Sequence, residues 1–479
     1  MQRIKKRKWF SDLEDLSVPF RKYGCFLPEQ RMLLERVHDK LTHTNKPVLV
    51  FIAPPASGKT HVICLLARTL SGTNQSTAIL VPNNYLKHEF DIAQTEVSGG
   101  LPDVDIINFS EYLRDRKRYD FVLADEAHNL KSFLELDTSL TRTVNLTKAD
   151  PAYADIASRY LSPGRTFVAQ QISFASAKDL LRSLASLPKC STQLRPVTKD
   201  PTSWSCFVYI WADSAICSVS FVRADGVCRL KLPTKRLLMF SAFPLSENEL
   251  EFYCGIPKDA VERAKSISSS AVWREKQRIC ISLTDSLAPD AKIDLFKSII
   301  RQSNTRILIL FNSLRSCQEA FTELRKSLHN VFMIAHGSKD QATYQRFLRR
   351  TDGILLTAST VFWEGINIGG LRLVILAEPP IPRPHLLDLR KRKIIDGRID
   401  TIRRLQQGLG RVCRRKGEWG AGVMFFDIDK TCKQYRKTIG VKRLLKLRSW
   451  ECVLLLHKIF ADRSLSIESV SKSDAPEVI

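Results

Sequence analysis

The chain is short of acid. Its 479 residues carry 50 Asp and Glu against 74 Lys and Arg, a formal net charge of +24. That balance argues against a polycationic partner and for a polyanionic one, nucleic acid ahead of an anionic membrane surface. No stretch of about 18 or more apolar residues occurs, so no transmembrane helix is expected. The first nine residues, Met1 to Trp9, hold the basic run Lys5-Lys-Arg-Lys8 and no apolar core. No secretory signal is therefore expected, and the run reads as a basic arm or a nuclear address. A cytoplasmic protein is expected, nuclear where the host has a nucleus, and not a secreted one. Twelve cysteines are present, yet no Cys-x-x-Cys pair. The group Cys190, Cys206, Cys217 and Cys228 has spacings that fit no zinc signature. These thiols read as reduced packing residues. Internal repeats and long low-complexity tracts are also missing.

What remains is a globular composition, 44% hydrophobic, too apolar for a largely disordered chain. At roughly 150 residues per domain the length suits two to four domains. Short β-branched runs alternate with helical patterns. Val48–Ile52, Thr77–Pro82, Phe121–Asp125, Arg306–Phe311, Gly353–Thr357 and Leu373–Ala377 read as buried strands. Such runs indicate parallel sheets covered on both faces. The pattern predicts an α/β chain: a basic arm over 1–20, one domain over 21–245 and a second over 246–455. A mostly helical insertion is expected at about 132–235, and a polar tail at 456–479.

Three motifs carry chemistry. Ala53-Pro-Pro-Ala-Ser-Gly-Lys-Thr60 lies between a strand and a helix, as a phosphate-binding loop requires. Ser57 and Gly58 offer backbone N–H groups to phosphates, Lys59 reaches the β- and γ-phosphates, and the Thr60 hydroxyl suits Mg²⁺. Ala53 stands where the motif's first glycine is usual. The second motif, Asp125-Glu-Ala-His128, ends a strand 66 residues after Lys59. There Asp125 can serve the metal, and Glu126 can deprotonate the attacking water. Third, Gln407-Gly-Leu-Gly-Arg-Val-Cys-Arg414 sets Arg411 and Arg414 three residues apart, which predicts one helical face. Arginines from a second domain can stabilise charge on a transferring phosphoryl group, and Gln407 can sense that phosphate or its water.

In this order, the three motifs resemble those of superfamily 2 helicases, and more closely the XPD/DinG-type branch. Ile106–Leu113, the continuation of the acidic box as Asn129-Leu130, Phe362–Asn367 and Leu373–Pro380 carry the closer resemblance. It covers most of residues 25–430. It implies two RecA-like P-loop NTPase domains, a DEAH box, ATP and Mg²⁺ as ligands, and an ATP hydrolase that moves on single-stranded DNA, 5′ to 3′. It makes Gln30 of Leu27-Pro-Glu-Gln30 the adenine-reading residue. Asn83 and Asn84 fall in the family's motif Ia, and Asn312 and Ser313 in motif IV, both on the strand path. Glu364, Gly365 and Asn367 fall in motif V, beside the nucleotide cleft. The run Phe240-Ser-Ala-Phe243 occupies the place of the Ser-Ala-Thr motif that couples hydrolysis to strand movement.

Departures from the family accompany the likeness. Phe243 replaces a threonine, and Asn367 an aspartate. No cysteine lies between Cys64 and Cys190, so no iron–sulfur cluster is expected. The 113 residues from His128 to Ser241 resemble a shortened arch domain, and a protein partner could compensate for it. Two other functions stay open: an RNA helicase or RNP remodeller, and an ATP-gated nucleic-acid-binding subunit without robust unwinding.

Charge is concentrated as well. Between Arg383 and Arg448 stand 20 Lys and Arg against 6 Asp and Glu, a local excess of +14. A groove of this kind binds phosphates without reading sequence. Phe425, Phe426, Tyr435 and Trp450 are available for base stacking, though the two phenylalanines fit a strand core better.

Overall fold

The computed structural model describes residues 28–54, 57–98, 104–114, 117–130, 134, 141–161, 167–211, 216–223, 230, 232–267, 278–335, 340–363, 366, 368–380, 397–413, 419–431 and 444–461. The basic arm, Glu364, Gly365, Asn367, Arg414 and nearly half of the basic tract, Tyr435 included, lie outside them.

The first lobe starts with helix α1 (Pro28–His43), whose Leu33, Leu34, Val37 and Leu41 make one apolar stripe. Then follow β1 (Val48–Ile52), α2 (Lys59–Ser71), β2 (Thr77–Val81), α3 (Asn84–Ser98), β3 (Val104–Asn108), α4 (Phe109–Arg114) and β4 (Phe121–Ala124). The apolar runs work as two-faced strands. In β1, Leu49 and Phe51 enter the core under α1 and α2, while Val48 and Val50 enter the core on the opposite face. That is why the runs show no polar alternation: neither face meets water.

An insertion follows. It holds β5 (Thr141–Thr147), α5 (Pro151–Tyr160), β6 (Phe167–Ile172), α6 (Phe174–Ala185), α7 (Pro188–Lys199), β7 (Trp204–Trp211) and β8 (Ile216–Arg223). Helices are substantial here. The insertion is nevertheless organised by a four-stranded antiparallel sheet, in the order β5-β8-β7-β6. The strands β7 and β8 carry Cys206, Val208, Ile210, Cys217 and Val219 to the helix-covered face. The runs Trp204–Trp211 and Ile216–Arg223 carry strand-like residues, but the pairing of four strands into one sheet is a long-range choice that their spacing does not announce.

The chain returns with β9 (Arg236–Ser241), α8 (Glu247–Cys254) and β10 (Val261–Arg263). The first lobe's sheet is six-stranded and parallel throughout, in the order β10-β1-β9-β4-β2-β3. This corrects the expected change of domain at 245/246. The strand β10 lies beside β1, and the Ile267 N–H donates to the Ile52 carbonyl at 3.0 Å, so the first lobe runs to at least Ile267.

The second lobe begins at β11 (Arg278–Leu283). It continues with α9 (Pro289–Ser303), β12 (Arg306–Leu310), α10 (Leu314–Arg325), β13 (Val331–Ile334), α11 (Gln341–Leu348), β14 (Ile354–Thr357), α12 (Thr360–Trp363), β15 (Leu371–Leu376) and α13 (Gly397–Leu409). It closes with β16 (Gly420–Met424), α14 (Ile428–Thr431), β17 (Leu444–Leu447) and α15 (Ser449–Ala461). Its seven parallel strands run β13-β14-β12-β15-β16-β11-β17. The last helix, α15, buries Cys452, Leu455, Leu456 and Ile459 against this sheet's core. The expected tail from 456 therefore starts too early: its first residues belong to a packed helix. No helix among the described residues is long and apolar enough to cross a membrane.

Candidate active site between the lobes

The carboxyl ends of parallel strands gather ligand-binding loops, and the first two motifs sit at such ends. After β1 the chain turns at Gly58, with φ +79°, into α2. An L-residue resists that conformation. A Cβ at Gly58 would also stand 2.2 Å from the Gln30 amide nitrogen. The Gln30 Nε2 group donates to the Gly58 carbonyl at 3.4 Å, so this side chain of α1 lies against the phosphate loop. Lys59 is buried and donates to the carbonyls of Ala53 and Pro54, both at 3.3 Å. Its ammonium thus folds back over the start of its own loop. The half-buried Thr60 stands in the first turn of α2. Ser57 is buried, and its Oγ has no hydrogen-bond partner.

The acidic box follows β4. Asp125 continues the ladder by donating its N–H to Leu80, at 2.9 Å. Its carboxyl is buried, with Oδ1 unpartnered. Burial first, and then the Glu126 carboxylate, hold its proton well above the ordinary range, while Lys59 pulls the other way. Glu126 has φ +46° and caps a short 3₁₀ turn, Ala127–Asn129. That turn presents His128 to three partners. His128 Nδ1 lies 3.1 Å from Ser241 Oγ and 3.4 Å from Glu126 Oε2, and its ring meets Phe243 edge-on at 5.2 Å. The Phe243 N–H also donates to Ser241 Oγ, at 3.0 Å. The Thr-to-Phe departure therefore leaves the backbone loop bonded and places an aromatic ring on the box histidine.

The second lobe supplies the other wall. Gln407, near the end of α13, reaches His128: the two Nε2 atoms are 3.1 Å apart. One of them must donate. With the amide as donor, His128 carries its proton on Nδ1, toward Ser241. The Gln407 Oε1 atom is buried and unpartnered. Arg411 is buried and donates to the Ile366 carbonyl. It does not lie on the helical face expected for it and Arg414. The helix α13 ends at Leu409, Gly410 and Arg411 turn, and Cys413 has φ +60°. Two glycines within four residues end the helix before Arg411.

Other expected residues have more local roles. Asn83 Oδ1 accepts the Leu86 N–H at 3.0 Å and caps α3. Asn84 Oδ1 accepts from Asn108 Nδ2 at 3.0 Å. Asn312 and Ser313 both donate their N–H groups to Glu378 Oε2, at 2.9 Å, and Ser313 caps α10. Glu378 thus ties the ends of β12 and β15, a function its motif did not announce. Tyr85, beside the two asparagines, is buried against Tyr344 and Phe362 of the second lobe, at 5.3 and 5.6 Å. Phe425 stacks on Phe296 at 4.6 Å, and Phe426 is buried, so both are core residues.

The cleft fits a nucleotide and a divalent cation. A buried carboxylate oxygen without a partner, next to a phosphate loop, suits Mg²⁺, which would reverse the upward shift at Asp125. Among the described residues no group of three or more His, Cys, Asp and Glu gathers as a metal cage. Mg²⁺ needs none, since substrate phosphates and water fill most of its shell.

Comparison with known proteins agrees with this geometry. Residues 296–440 match the helicase C-terminal domain family model. No curated protein matches the chain by sequence. Among solved structures, S. cerevisiae Dbp5 bound to RNA and ADP BeF3 superposes with a TM-score of 0.51 at 13% identity, covering 92% of this chain and 99% of Dbp5. S. tokodaii Xpd4 gives 0.51 at 14% identity, covering 88% and 99%. Residues 296–440 of the second lobe thus match a helicase C-terminal domain, and the two lobes together share the RecA-like α/β fold of the Dbp5 and Xpd4 structures.

Proposed function

We propose that this chain is an ATP-driven motor on single-stranded nucleic acid, DNA by its motif resemblance. The observation that carries the proposal is the Gln407–His128 contact at 3.1 Å. It brings the second lobe's motif onto the acidic box, which ends a strand of the same sheet as the phosphate loop. An NTPase site split between two lobes converts hydrolysis into relative motion.

The roles follow from the chemistry. Ser57, Gly58 and the start of α2 bind the phosphates, and Lys59 exchanges the Ala53 and Pro54 carbonyls for phosphate oxygens. Thr60 and Asp125 hold Mg²⁺, which offsets charge on the phosphates. Gln30 serves the adenine. Glu126 takes the proton of the attacking water, and the unpartnered Gln407 Oε1 accepts from the same water. Arg411 and Arg414 stabilise the transferring group's charge when the lobes close. Glu364, Gly365 and Asn367 are assigned to the nucleotide by the motif resemblance alone. Asn83, Asn84, Asn312 and Ser313 are assigned to the strand path by the motif resemblance. Loss of the γ-phosphate loosens the cleft, and each cycle shifts one lobe along the strand.

A second reading, an RNA helicase, is favoured by the fold shared with Dbp5, whose structure is described as bound to RNA. A third, an ATP-gated binding subunit, is motivated by Phe243 in the coupling loop. One assay separates the three. ATP hydrolysis is measured with single-stranded DNA and RNA, and strand displacement with 5′- and 3′-tailed duplexes. DNA-stimulated turnover with displacement from the 5′ tail is expected. Stimulation by RNA alone favours the second reading, and turnover without displacement the third. Glu126→Gln should abolish hydrolysis while ATP still binds. Hydrolysis that survives the change removes Glu126 as the base.

A further inference from the structure

Outside every motif, a buried ion pair joins the lobes. Arg403 of α13 donates through Nη1 to Glu249 Oε1 at 2.8 Å and through Nη2 to Glu249 Oε2 at 3.1 Å. Its Nη2 also donates to the Pro244 carbonyl at 2.6 Å. Both side chains are under a tenth exposed. Glu249 is itself held. It closes a capping box at the start of α8, with the Ser246 N–H donating to its Oε2 and its own N–H to Ser246 Oγ. The carboxylate is therefore preorganised before the arginine arrives, so little rotamer freedom remains to be lost.

The placement has a consequence for the site. Pro244 directly follows Phe243, in the loop whose Ser241 and Phe243 hold His128. Arg403 precedes Gln407 by one helical turn on the same face of α13. Arg411 follows Gln407 at the same interval, just past the helix end. Among the described residues, α13 meets the first lobe through a neutral Gln–His hydrogen bond and through Arg403, whose two-point, charge-assisted clamp on Glu249 is joined by its bond to the Pro244 carbonyl. Charge-assisted bidentate bonds are roughly twice as strong as neutral ones and fix orientation in a plane. The clamp therefore sets the rotation and register of α13, and the hydrogen bond follows. A buried ion pair stabilises a fold poorly compared with apolar packing, and its best-attested use is to specify register.

We infer that Arg403 and Glu249 are positioning residues. They lock α13 onto the loop after β9, so that Gln407 and Arg411 arrive at the nucleotide in register. This rests on the reading of the cleft as an ATPase site. Neither residue belongs to the motifs assigned to the nucleotide.

The test is a double-mutant cycle in the full chain with Arg403→Met, Glu249→Gln and the pair, plus Arg403→Lys. In the steady state, Arg403→Met should lower kcat roughly 10- to 100-fold, with KM for ATP within about threefold. The double variant should be no worse than the worse single one, because both remove one clamp. Arg403→Lys keeps the buried charge, so it folds, and should lie between wild type and Arg403→Met. An unchanged kcat, a loss confined to KM, or additive losses overturn the inference. Small-angle scattering gives a readout independent of turnover. The radius of gyration without nucleotide should rise in Arg403→Met, or in Arg403→Lys if the methionine variant does not fold. An unchanged radius overturns the clamp even if wild type hydrolyses no ATP, which would instead refute the ATPase reading.

Discussion

Gly58 shows how a single residue can be required twice. Its φ of +79° excludes ordinary side chains on conformational grounds, and the Gln30 amide excludes them on spatial grounds. A left-handed residue with a Cβ costs roughly 1–2 kcal/mol, and Gln30 must also move. Gly58→Ala is therefore expected to weaken binding of a non-hydrolysable ATP analogue at least tenfold, read by calorimetry. Adding Gln30→Ala should restore only part of it, because the strain in φ remains. Full restoration would show that contact alone matters. Phe243 makes the complementary point. Its ring packs edge-on against His128, a contact worth about 0.5–1.5 kcal/mol. A departure from the family pattern is thus built into the site rather than left as a gap.

At the scale of elements, the strands were legible and their partners were not. Continuous runs such as Val48–Ile52 announce a strand buried on both faces, because each face needs apolar residues. Phe425 illustrates what a run leaves open. In sequence it is an aromatic within a basic tract, suited to base stacking or to a core. In the fold it stacks on Phe296 of α9, inside the second lobe. Phe425→Ala should cost about 3–5 kcal/mol of stability by denaturant unfolding, with nucleic-acid affinity of the folded protein unchanged. Lost affinity at unchanged stability would return Phe425 to the binding surface. The insertion's sheet and the short reach of α13 escaped the sequence for a related reason. Antiparallel pairing of β5 to β8 is a long-range choice, and the two glycines after Gln407 compete with a helical spacing that otherwise continues.

At the scale of the whole molecule, charge and lobe contact decide behaviour. An excess of +24, with 14 units between Arg383 and Arg448, predicts binding driven by counterion release. For single strands, log K falls with log salt by about 0.7 for each phosphate neutralised. A slope steeper than about −3 is expected when affinity for single-stranded DNA is titrated with salt. A flat slope would remove the basic tract from the interface. Among the described residues, unlike contacts join the lobes. They include the Tyr85 aromatic cluster, the Gln407–His128 hydrogen bond and the Arg403–Glu249 clamp. Burial of Tyr85 pushes its hydroxyl up to about 12, with Asp340 adding to the shift.

The sequence alone determined the chemistry proposed for the cleft. Phosphate, metal and water each demand particular side chains at close spacing after a strand, as in Gly58-Lys-Thr60 and Asp125-Glu126. It also determined the α/β class, because two-faced strands need continuous apolar runs. Only the tertiary structure decided which distant residues complete the site. Arg403 and Glu249 stand 154 residues apart, and nothing local in either segment names the other. Their meeting depends on how two separately folded sheets dock, a long-range arrangement that spacing along the chain does not encode.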